Sequence, residues 1–153
     1  MKQLFSALLL LSILSISSCK NGSSTIFGGS WSYKGISYNA ITAIGSTTAK
    51  TLTASTASTS EIDNVVFHFQ SYPPAAGTYT VTNVPITSAN QVYIIMNIGT
   101  KTYTLSNTAS AVATVTVSGT KVSVSVPAVE FSNTILSSPV DAGTFTASVN
   151  QNL

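Results

Sequence analysis

The chain has 153 residues, and only 7% of them are charged, against about a quarter in an ordinary soluble domain. Six lysines, no arginine and four acids (Glu61, Asp63, Glu130 and Asp141) argue against nucleic-acid binding, which relies on bidentate arginine contacts. One cysteine and one histidine exclude an internal disulfide framework and a cysteine-based zinc site, and they leave little for acid–base chemistry.

The N-terminus reads as a targeting segment. Met1-Lys2-Gln3 is a short positive start, and Leu4 to Ile16 is an apolar run interrupted only by serine. That run is shorter than the roughly 20 apolar residues a membrane-spanning helix needs. It ends in Ser17 and Ser18, followed at once by Cys19, so a signal cut falls beside the only thiol. A cytosolic core helix would show polar residues at 3.6 spacing, which this run does not. The tetrad Ile16-Ser17-Ser18-Cys19 resembles the lipobox of bacterial lipoproteins. The resemblance implies a signal peptide over 1–18, cleavage before Cys19 and acylation of Cys19. Acyl chains contribute about 0.8 kcal/mol per buried CH₂, so several of them make a lasting membrane anchor. Lys20 stands where that family places aspartate to retain a protein in the inner membrane, which implies the outer membrane. Residues 19–26 are polar and rich in glycine and serine, and read as a tether.

Residues 27–153 read as one all-β domain. Trp31-Ser32-Tyr33 and Ile36-Ser37-Tyr38 flank Lys34-Gly35 and predict a first hairpin. Lys50 to Ala54 predicts a strand, and Ser55 to Ser60 a turn in a low-complexity stretch. Val65-Val66-Phe67-His68-Phe69 and Val92-Tyr93-Ile94-Ile95-Met96 are apolar on both faces and predict central strands. Pro73 to Gly77 leads into Tyr79 and Val81, which alternate with threonines. Asn97 to Thr100 predicts a turn before Lys101–Leu105. Val115 and Val117, then Val122, Val124 and Val126, predict two strands around Ser118-Gly119-Thr120, with all five valines inward. Pro127 belongs at a strand end or a bulge, because it cannot donate to a ladder. Phe145, Ala147 and Val149 alternate in a last strand. About ten short strands with Gly and Pro turns predict an antiparallel β-sandwich, favoured over a closed barrel.

The string Gly29-Ser30-Trp31-Ser32-Tyr33-Lys34-Gly35-Ile36-Ser37-Tyr38-Asn39-Ala40 resembles the opening of small uncharacterised β-sandwich lipoproteins of Bacteroidota. Gly77-Thr78-Tyr79-Thr80-Val81 resembles their central strand, and Gly143 to Val149 their closing one. The resemblance implies an envelope location and a sandwich fold, and carries no chemistry with it.

Four groups of residues are candidates for function. Glu61 and Asp63, with Asn64, are the only close acid pair, and could supply a few of the six to eight oxygens of a calcium site or stand as solvated charges. His68 lies opposite Phe67 and Phe69 in its strand, without a recognisable acid or nucleophile partner. Trp31, Tyr33 and Tyr38 could stack on sugar rings or fill one end of the core. Glu130 and Asp141 read as solubilising charges at strand ends. The expected function is that of a non-catalytic, lipid-anchored structural or protein-interaction module of the cell envelope, held to the membrane by its anchor. The alternative is a carbohydrate-binding accessory with the three aromatics as platform. No cofactor, metal or nucleic acid is expected, and the partner is an envelope protein or a glycan.

Overall fold

The computed structural model describes residues 28–56, 62–107, 109–133 and 140–153. The signal segment, the tether, Cys19 and Glu61 lie outside these described residues. The fold is all-β. Eleven strands follow in order: β1 (Gly29–Tyr33), β2 (Ile36–Asn39), β3 (Thr42–Ser46), β4 (Thr51–Ser55), β5 (Asn64–His68), β6 (Gly77–Thr82), β7 (Gln91–Ile98), β8 (Lys101–Leu105), β9 (Val112–Ser118), β10 (Lys121–Asn133) and β11 (Ala142–Asn152).

All eleven belong to one hydrogen-bonded sheet, in the order β2-β1-β11-β10-β9-β6-β7-β5-β4-β3, with β8 joining β10 to β7. The sheet folds over on itself around one core, so the two layers of a sandwich are continuous with each other. Two connections make the fold. At one end β6 pairs β9 on one side and β7 on the other; at the other end β8 pairs β10 and β7. The ring β10-β9-β6-β7-β8 is therefore closed by hydrogen bonds, a barrel-like feature inside the predicted sandwich. The β6–β7 contact, Thr80–Thr82 against Gln91–Tyr93, is parallel, whereas every other pairing is antiparallel.

On the opposite side the chain itself makes the crossing. β2 pairs with β1 and β3 pairs with β4, and only Ala40 and Ile41 separate them. The Ala40 amide donates to the Gly29 carbonyl at 3.0 Å, and the Ile41 amide donates to the Ser55 carbonyl at 3.0 Å. Adjacent amides thus hold the two layers together. β3 is the strand that alternation does not predict: Ala40-Ile41-Thr42-Ala43-Ile44 has no clean period of two. Its Gly45 lies where the Tyr72 ring passes, so close that any side chain would collide with it.

The predicted hairpins form. Lys34 and Gly35 both have positive φ, 51° and 78°, as a two-residue turn between twisted strands requires. Gly99 and Gly119 take the same role in the β7–β8 and β9–β10 turns. Pro127 sits in a bulge between Val126 and Val129, and β10 resumes beyond it to Asn133. Glu130 therefore lies within a strand, exposed, and not at a strand end.

The inward alternation predicts the core well. Val65, Phe67, Tyr79, Val81, Val115, Val122, Val124, Val126, Phe145, Ala147 and Val149 are all buried. Phe131 stacks on Phe145 with ring centres 4.3 Å apart. Val117 is the exception, at 39% exposed. It stands opposite the buried Val122 in the register, two residues before the Gly119 turn.

Candidate functional site

The aromatics of the first hairpin do not form an exposed platform. Trp31 is 1% exposed and Tyr33 4%. Only Tyr38 is half-buried, and it spends its ring on Trp31, stacked at 5.5 Å and nearly parallel. The cause is the β1 alternation: Trp31 and Tyr33 share the face that β1 turns toward the core, and Ser30 and Ser32 take the other. The indole N–H of Trp31 is buried without a hydrogen-bond acceptor among the described residues.

Tyr33 instead belongs to a polar cluster centred on Asp141. The Asp141 carboxylate receives hydrogen bonds from Lys101 Nζ at 2.8 Å, from the Tyr103 hydroxyl at 2.9 Å and from Lys34 Nζ. The Tyr33 hydroxyl lies 3.5 Å from the Asp141 carbonyl oxygen, and the Asn133 amide donates to that oxygen at 2.9 Å. The cluster ties together the β1–β2 turn, β8 and the start of β11. The hydrogen bonds from Lys101, Lys34 and Tyr103 hold the Asp141 carboxyl well below the usual carboxylate range. Burial, then the nearby carboxylate, pushes Tyr103 up to about 12 and raises Tyr33 as well. Asp141 is thus a structural clamp and not a solubilising loop charge. Proximity of two lysines and a tyrosine on one carboxylate was invisible in the sequence, where these residues are up to 107 positions apart.

Asp63 also has a local role. Its carboxylate accepts the Gly99 amide at 2.9 Å, and its carbonyl accepts the Thr56 amide at 2.9 Å. It fastens the β7–β8 turn to the start of β5 and lies just before that strand. Among the described residues no three metal-ligating side chains come together.

His68 lies on the outward side of β5, as its alternation with Phe67 predicts. Its ring is tilted against Tyr93 at 5.8 Å. The two line a cleft of about 330 Å³ with Phe69, Ile95, Pro85 and Ile86. Burial pushes the imidazole below its ordinary pKa, which favours the uncharged ring. Pro85 and Ile86 come from the β6–β7 connection, which no motif in the sequence marked. The parallel β6–β7 pairing brings that connection beside His68.

The cleft opens at one end of an outward row. Ile44, Thr53, Val66 and Ile95 are register partners across β3, β4, β5 and β7. Ile44 is 65% exposed; Thr53, Val66 and Ile95 are half-buried. A parallel row of polar side chains borders it: Asn97 donates to Asn64 at 2.9 Å and accepts from Thr102 at 2.8 Å. The outward row and the cleft carry no charged side chain. Chemically they can hold an apolar group and offer a polar atom attached to it one imidazole and one phenol as hydrogen-bonding partners. Comparison of the chain with protein-family models, with curated proteins and with solved structures finds no match.

Proposed function

We propose that this chain is a lipid-anchored outer-membrane protein that acts, without catalysis, as a protein-interaction module of the cell envelope. Three features support the reading. The apolar run ending at Cys19 resembles a lipoprotein signal, and the string from Gly29 to Ala40 resembles the Bacteroidota group. The ten residues from Cys19 to Gly28 make nine steps that reach at most about 32 Å, so the domain works close to the membrane surface. The observation that carries the interaction reading is the apolar row Ile44, Val66 and Ile95 beside the His68–Tyr93 cleft. An apolar patch with a concavity at its end suits the anchor side chain of a protein partner.

The sheet edges fit the role less well. β2 and β3 are short and run on into each other, and β11 approaches β3 from the other layer. The patch is therefore the surface to test. A photo-crosslinking residue in place of Ile95, in whole cells, should give a discrete protein adduct that is absent when the same residue replaces Thr116 on the opposite layer. Adducts that do not depend on position would contradict the reading.

A further inference from the structure

Gly28, the first described residue after the tether, has a fixed place at one end of the domain. Its carbonyl accepts the Asn150 amide at 3.4 Å, next to the pairing of Gly29 with Val149. A side chain at Gly28 would collide with the Ala40 carbonyl, so the chain enters hard against the corner between β2 and β3. From that corner β3 continues against β11. The Tyr72 ring passes over Gly45 of β3, and its hydroxyl donates to the Gln151 side chain of β11. Three large apolar side chains stand around this entry, Ile41, Ile44 and Leu153, each at least half exposed. Ile41 follows Ala40 at the corner, Ile44 precedes Gly45, and Leu153 lies two residues beyond Gln151 with its amide on the Thr120 carbonyl. Two lysines flank them. Lys50 ends the β3–β4 turn, and Lys121 stands opposite Asn152. Both are exposed, and neither is ion-paired among the described residues. The described acids stand elsewhere. Glu130 is opposite Thr144, Asp141 precedes the start of β11, and the Asp63 carboxylate is turned to the Gly99 amide.

We propose that this end of the domain docks on the anionic lipid surface of the membrane, with Ile41, Ile44 and Leu153 in the headgroup layer and Lys50 and Lys121 on lipid phosphates. The proposal rests on the lipid anchor of the proposed function. The place of chain entry selects the occupant. Nine steps from Cys19 bring Gly28 to within about 32 Å of the acyl chains at full reach, so the end that bears Gly28 is the part of the domain held nearest to lipid. Thr144, near the start of β11, lies nine residues from Leu153, about 30 Å farther along the strand. The chemistry of this end agrees with that placement. Apolar side chains enter the boundary between headgroups and acyl chains, and ammonium groups beside them meet lipid phosphates. Isoleucine and leucine side chains carry no donor or acceptor that loses water on entering. Ile44 also ends the outward row described above, but Ile95 lies three strands away, about 14 Å, so the His68–Tyr93 cleft stays open to a protein partner.

The test places a fluorescent reporter at each end of the domain. Ile44→Cys and Thr144→Cys are made separately in the full chain, the acylated protein is purified from membranes, and the new thiol receives a nitrobenzoxadiazole label. Acylation occupies the Cys19 sulfur, so each variant carries one label. Both are reconstituted in vesicles of phosphatidylethanolamine and phosphatidylglycerol that contain a doxyl-labelled lipid as quencher. The label at position 44 should be quenched several-fold more strongly than the label at position 144. Lys50→Glu combined with Lys121→Glu should remove most of that difference with the melting temperature unchanged. Equal quenching at the two positions, or charge variants that are quenched like the parent, would overturn the docking surface and leave the anchor standing. A Cys19 that itself takes the label would show that the anchor is missing, and the proposal would fall with it.

Discussion

The Tyr103 hydroxyl donates to the Asp141 carboxylate at 2.9 Å, and with it a single side chain joins β8 to the start of β11. Lys34 completes the contact from the β1–β2 turn and Lys101 from the first position of β8. Their side chains are about half exposed, so each pair alone is worth little in water. The geometry counts for more, because one carboxylate closes three chain segments at the same end of the fold.

Asp141→Asn keeps the size of this side chain and removes its charge, leaving two lysines facing each other. The variant should melt at a lower temperature than the wild type at pH 7. The sign of the pH effect follows from the lowered pKa of Asp141. The stability it contributes is present above the unfolded carboxylate pKa, near 4, and is lost as pH falls from there toward the folded value. Thermal melts at pH 7 and pH 3 should therefore show a smaller acid-side loss in Asp141→Asn than in the wild type. Parallel losses would show that the cluster does not hold the end of the fold.

His68 titrates in a different window. Its folded pKa is lowered by burial, so the folded state prefers the neutral ring. The unfolded chain binds more protons below about pH 6.5, and stability falls as pH drops through that value toward the folded pKa. His68→Gln removes the titration. Urea unfolding at pH 7 and pH 5 should show a pH-dependent loss in the wild type that is smaller in His68→Gln.

The β9–β10 hairpin tests the assignment of faces. Val124 is buried and lies opposite Val115, while Ser125 beside it points out. Burying a valine contributes about 1.5–3 kcal/mol, and a carboxylate in its place adds a desolvation cost. Val124→Asp should cost at least about 3 kcal/mol, whereas Ser125→Asp and Val117→Asp should each stay within roughly 0.5 kcal/mol. Chemical denaturation of the three variants measures this, and similar midpoints would contradict this assignment of faces.

Most of the strands were legible in the chain, because half-buried strands write their burial as a period of two. The turn at Lys34-Gly35 and the bulge at Pro127 were legible for an equally local reason: each depends on the backbone limits of one or two residues. What escaped is what depends on distant pairing. Alternation says which side of β6 is buried, but not that Thr80–Thr82 lies parallel to Gln91–Tyr93. Hence the closed ring and the Pro85–Ile86 wall of the cleft could not be foreseen. β3 was missed because it is an edge strand with no fully buried position, so its residues show no period of two. Val117 was assigned inward by pattern alone, and a pattern does not show how far a residue near the turn stays exposed. Trp31 and Tyr33 could serve core or platform in the sequence; burial decides between them.

The central claim is that the domain works from a lipid anchor at Cys19, and metabolic labelling tests it most directly. Cells expressing the full-length chain are fed radiolabelled palmitate, and the protein is isolated and counted beside a Cys19→Ser variant. The account predicts label on the wild type in the membrane fraction and none on Cys19→Ser, which should be released from membranes or persist as an uncleaved precursor. Equal label on both proteins, or an unlabelled wild type, would contradict it.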